Sequence, residues 1–142
     1  MESKERTFIT VLVRINAPIE QIWKHWNTPE DITQWNTASD DWHTPKASVD
    51  LRPGGKFTAR MEAKDGSLGF DFEGIYDEVI VNKHIRYTIG DGRTVNIDFV
   101  TVGTQTEITE TFEAEETNPI EMQQQGWQAI LYNFKRFVEK TH

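Results

Sequence analysis

The stretch PIEMQQQGWQAILYNFKRFVEKT, residues 119–141, decides the fold. Trp127, Ile130, Leu131, Phe134, Phe137 and Val138 recur in it at helical spacing, so they form one apolar stripe on an otherwise polar helix. At 1.5 Å per residue this helix runs about 34 Å, enough to cross a whole small domain. Asn118 precedes Pro119, and Glu121 stands three residues after it, which predicts a capping box at the helix start. A stripe of this length needs an apolar surface to lie on.

The middle of the chain supplies that surface. Ile9, Val11, Val13 and Ile15 alternate with Phe8, Thr10, Leu12 and Arg14, and Phe57, Ala59, Met61 and Ala63 alternate with Lys56, Thr58, Arg60 and Glu62. The same period of two continues through Phe70 to Tyr76, Ile85 to Ile89, Val95 to Phe99 and Ile108 to Phe112. KDGS at 64–67, GDGR at 90–93 and VGTQ at 102–105 mark tight turns between them. Short strands joined this way predict an antiparallel meander with one apolar face, covered by the last helix. The fold class is therefore α+β, a curved antiparallel sheet gripping a long C-terminal helix.

Two shorter helices are predicted at Pro18 and Pro29. Ile19, Ile22, Trp23 and Trp26 make a helical stripe that turns both indoles inward, and Thr28 with Asp31 predicts a cap for the second helix. Residues 36–45, NTASDDWHTP, read as an irregular loop in which Trp42 is either docked locally or held over a cavity mouth. Asp40, Asp41 and His43 in that loop are too few for a stable zinc site, and no HExxH, GxSxG or phosphate-loop motif occurs, so no metal, cofactor or catalytic residue is assigned.

Composition bounds the partners. The chain has 142 residues and a formal charge of −8, which repels nucleic acid and anionic lipid surfaces, and there is no cysteine. Its length fits a single domain over residues 1–142. The charged start, MESKERTF, lacks the apolar core of a signal peptide, and no apolar run reaches membrane-spanning length, so a cytoplasmic protein without membrane insertion is expected.

Two positions break local rules. Gly126 lies mid-helix beside Trp127, at a cost of about 1 kcal/mol relative to alanine, and either close approach of the sheet or space for a ligand would compensate. Glu110 shares a strand face with Ile108 and Phe112; either a bulge or strand end turns it to solvent, or it is a polar anchor on a pocket wall, together with Gln123 one helical turn before Trp127. The sheet is unusually rich in large rings for a simple core, and Phe57, Met61, Tyr87, Phe99, Trp127 and Ile130 are the expected pocket walls, whereas Tyr76 is expected to be structural.

Four segments, APIEQIWKHWNTPEDITQW, DLRPGGKF, FEGIYDEV and GWQAILYNFKRFVE, resemble in order those of the domain related to activators of the heat-shock protein 90 ATPase, in the START-like or SRPBCC superfamily. The resemblance covers residues from about 8 to 140. It implies a helix-grip fold with a deep apolar cavity between sheet and last helix, taking lipid-like, polyketide-like, flavonoid-like or other aromatic ligands. It also implies that Trp35 closes one end of the grip and that Gly126-Trp127 leaves space for a ligand.

The expected function is enclosure of a small apolar or aromatic ligand, with Glu110 and Gln123 orienting it. Two other readings remain: a cyclase- or hydrolase-like enzyme using Glu110 as general base, and a chaperone-binding domain of the kind the family name suggests.

Overall fold

The computed structural model describes residues 6–141; the first five residues of the charged N-terminal stretch, and His142, lie outside the described residues. The chain runs β1 (Phe8–Ile15), α1 (Ile19–Asn27), α2 (Pro29–Trp35), β2 (Trp42–Val49), β3 (Lys56–Ala63), β4 (Gly69–Ile80), β5 (His84–Ile89), β6 (Thr94–Val102), β7 (Gln105–Glu113) and α3 (Ile120–Thr141). The strands form one antiparallel sheet in the order β1-β7-β6-β5-β4-β3-β2. α3 packs on its concave face, so the α+β helix-grip architecture follows.

The alternation in β1 sets the pattern. Ile9, Val11, Val13 and Ile15 are buried while Phe8, Thr10, Leu12 and Arg14 face out. β1 and β2 are the two sheet edges, and α1 and α2 carry the chain between them. An open edge invites pairing with another chain. On β1 this edge is occupied by α3, whose Gln128 Nε2 donates to the Leu12 carbonyl at 2.9 Å and whose Lys135 Nζ donates to the Arg14 carbonyl at 2.7 Å. In the turn between β5 and β6, Gly92 takes a φ of +91°, a conformation that a side chain would disfavour.

Three local expectations are corrected. Residues 42–45 are not loop: β2 begins at Trp42, and Pro45 sits in a bulge between His43 and Lys46. Proline is tolerated there because an edge strand donates from one side only and a bulge leaves a residue unpaired. Thr28 does not cap α2 through its side chain; its hydroxyl instead donates to the Lys24 carbonyl at 2.6 Å and so finishes α1. At the start of α3, Glu115 Oε1 accepts from the Asn118 N–H at 2.6 Å, and Gln123 rather than Glu121 ties down the preceding segment.

Along α3, Leu131, Phe134 and Val138 are completely buried and form the central contact with the sheet and the short helices. Trp127, Ile130 and Phe137 are only partly buried. The cavity opens beside the N-terminal half of the helix, where Gln123, Gly126, Trp127 and Ile130 border it.

Candidate ligand-binding cavity

A cavity of about 380 Å³ lies between the concave sheet face and the first half of α3. One end is closed by rings from three helices. Trp35, the last residue of α2, is held by a hydrogen bond from Nε1 to the His25 carbonyl at 3.2 Å. Its ring centroid lies 4.9 Å from that of Trp26 and 4.8 Å from that of Phe134. Trp26 and Trp35 both face the cavity, with Phe134 behind them.

The wall opposite the helix is a ring cluster. Phe57 of β3 meets Tyr87 of β5 edge to face at 4.6 Å, and Tyr76 of β4 lies 5.4 Å from Phe57. Met61 completes this wall on β3. On the helix side Trp127 stacks on Phe112 at 3.9 Å with an interplanar angle of 11°, while Ile130 borders the space one turn further on. A stacked ring pair of this kind holds an indole more firmly than area burial alone.

Gly126 faces the same space. A Cβ built on it meets no atom within 4 Å, so the helix does not need glycine there for close approach of the sheet. Of the two compensations open in the sequence, space is the one the geometry provides.

Glu110 points inward from β7 and is 4% exposed. Its neighbours across the ladders are Val11 on β1 and Ile97 on β6, and the register is unbroken on both sides, so no bulge turns it out. None of the described residues hydrogen-bonds to its carboxyl. Burial pushes that carboxyl up to about 8, because an apolar surrounding penalises the charged form. At neutral pH it is mainly the acid.

Gln123 is also buried and borders the cavity, but its amide is committed elsewhere. Oε1 accepts from the Glu115 N–H at 2.9 Å, and Nε2 donates to the carbonyls of Glu115 at 3.1 Å and Asn118 at 2.8 Å. Both amide protons are used, so Gln123 shapes the cavity mouth by holding the 115–118 segment.

Phe99 does not line the cavity. It is buried beneath α1, edge to face with Trp23 at 5.3 Å and Trp26 at 5.8 Å. Period two identifies the face of a strand but not the position along it, and Ile97, two residues earlier, is the β6 residue on the cavity. The lining also includes Trp26, Phe72, Tyr76 and Arg93, none of them assigned to it from the sequence. The inward stripe of α1 and the aromatic alternation of β4 were the signals for the first three. Trp42 is docked locally, 6.0 Å from Phe70 of β4, two strands in from its own edge strand. Among the described residues no three His, Asp or Glu side chains are placed to hold a metal ion, and no helix is long and apolar enough to cross a membrane.

The fold has close counterparts among solved structures. A solved AHSA1-like protein from Aeromonas hydrophila is 44% identical with a TM-score of 0.89, covering 95% of this chain and 94% of its own. Chr148 from Cytophaga hutchinsonii is 55% identical with a TM-score of 0.82, over 94% of this chain and 92% of that one. The Aha1 dimer from Colwellia psychrerythraea shares the fold alone, at 18% identity and a TM-score of 0.72, over 94% of this chain and 96% of that one. No curated protein matches the sequence. The sequence model of the family described as activator of Hsp90 ATPase homolog 1-like protein matches residues 16–139, and the chain belongs to that family.

Proposed function

We propose that the protein binds a small apolar or aromatic molecule enclosed between the sheet and α3. The observation that carries this reading is Gly126, a helical glycine that faces open space at the cavity. A glycine in mid-helix costs about 1 kcal/mol relative to alanine, and nothing in the packing recovers it. The volume falls in the range of ligand pockets, about 300–1,000 Å³, and the walls are mainly aromatic and aliphatic with few polar groups, as such pockets are. Burying about 300 Å² of apolar ligand surface would contribute about 7 kcal/mol before association costs, so micromolar binding needs few polar contacts.

The test is quenching of tryptophan fluorescence by flavonoid-like, polyketide-like and fatty-acid ligands, compared between the wild type and two variants. Gly126→Leu projects four side-chain carbons into the space and is expected to weaken binding by about a hundredfold while the protein stays folded. Gly126→Ala is expected to stabilise the protein by about 1 kcal/mol in urea unfolding, with a smaller loss of affinity. Unchanged affinity in a folded Gly126→Leu protein would place the ligand elsewhere.

The inward carboxyl of Glu110 also supports an enzymatic reading, acid–base catalysis on the enclosed ligand. A carboxyl at about 8 is roughly nine-tenths protonated at pH 7, which suits it to give a proton or a hydrogen bond better than to take one. Catalysis would show as ligand turnover that Glu110→Gln removes without removing binding.

A further inference from the structure

Three O–H groups stand on the sheet side of the cavity without a partner. The row Ile85, Ile97, Glu110, Val11 crosses four strands, and only Glu110 in it is polar. Tyr76 and Tyr87 are direct partners across β4 and β5 in the adjoining row, which continues to Val95 and Phe112. All three side chains are more than nine-tenths buried, all three border the cavity, and none of the described residues hydrogen-bonds to them. Tyr87 faces Tyr76 across one ladder and lies two strands from Glu110 in the next row of the same sheet face, so the phenols and the carboxyl border one space. Among the described residues Glu113 Oε1 is the only fully enclosed side-chain oxygen without a hydrogen-bond partner, so the oxygens of Tyr76, Tyr87 and Glu110 are open to the cavity, where a molecule inside it can pair with them.

We propose that Tyr87 and Glu110, with Tyr76 beside them, form a donor floor for an acceptor oxygen, so that the ligand is an aromatic molecule carrying a ketone or similar carbonyl. This rests on the cavity being the ligand site. Burial holds both tyrosines above their ordinary value and keeps Glu110 mainly protonated at neutral pH, so each presents an O–H. A planar carbonyl has two acceptor lone pairs and can take a hydrogen bond from Tyr87 and from Glu110 together. A preorganised pair made of a tyrosine and a protonated carboxylic acid in an apolar site is an effective way to hold such an oxygen. The aromatic body of the ligand would lie among Phe57, Phe72 and Trp127.

Three probes of one shape separate the possibilities: 2-acetylnaphthalene, 2-isopropylnaphthalene and 1-(2-naphthyl)ethylamine, titrated at pH 6.5 into the wild type, Glu110→Leu and Tyr87→Phe. The ratio of ketone to hydrocarbon affinity is expected to fall about tenfold in Glu110→Leu and by a smaller factor in Tyr87→Phe, while hydrocarbon affinity holds. The hydrocarbon is the internal control, since damage to the fold weakens both ligands alike. A ratio unchanged by both substitutions, or an amine that binds tightest in the wild type and loses that advantage in Glu110→Leu, overturns the carbonyl assignment while leaving the cavity as a ligand site. Failure of all three probes to bind overturns both.

Discussion

Glu110→Gln is expected to remove most of a pH dependence of stability that the wild type shows between pH 4.5 and 8. In the unfolded chain this carboxyl titrates near the ordinary value of 4.5, and in the folded protein burial raises it to about 8. The folded state therefore keeps a proton that the unfolded state gives up. Stability from this group is fully present below pH 4.5, declines across the window and is gone above 8. At about 1.4 kcal/mol per pH unit the wild type loses about 5 kcal/mol, a large share of the 5–15 kcal/mol typical of a small domain. The amide of glutamine does not ionise, so the two proteins should differ least near pH 5 and most near pH 8.5, where the variant is the more stable. Urea unfolding at intervals from pH 5 to 9 measures this directly. Parallel curves would mean that the carboxyl reaches water or a partner.

The sequence made the direction of Glu110 an open question for a physical reason. Alternation with Ile108 and Phe112 specifies a face only while the strand stays in register, and a single bulge would reverse it. The unbroken ladders from β7 to both β1 and β6 are long-range facts, set by pairing partners about a hundred residues apart in one case. The same limit explains Phe99. Its inward face was legible, but its distance from the cavity depends on where α1 crosses the sheet, and the indoles of Trp23 and Trp26 cover it.

Helices were easier to read than their ends. The stripe on α3 and the inward turn of α1 follow from local spacing, whereas capping groups found partners beyond their own turn. Thr28 reaches back to Lys24, and Gln123 reaches the segment before its helix. β2 was hidden because Pro45 and the turn formers before it resemble a loop; pairing with β3, not local preference, makes it a strand. Gly126 is the opposite case. The broken rule was visible in the sequence, and the structure adds that no close approach of the sheet requires glycine there.

Phe134→Ala is expected to cost about 3–5 kcal/mol, comparable with the Glu110 effect and opposite in sign, because a completely buried ring at a closed end leaves a void that three helices cannot collapse. Its ring lies against Trp26 at 5.0 Å and Trp35 at 4.8 Å, so the loss falls on the two indoles that close the cavity. Near-ultraviolet circular dichroism should weaken at the tryptophan bands, and affinity for an enclosed ligand should fall with it even under conditions where the variant remains folded. Tyr132→Ala, two residues away on the exposed face of the same helix, is the control and should change stability by no more than about 0.5 kcal/mol. Loss of stability with intact affinity would separate the closed end from the ligand. Loss of both would show that the grip on α3 and the closure of the cavity are one packing arrangement, in which the residues that hold the helix also hold the space beside it.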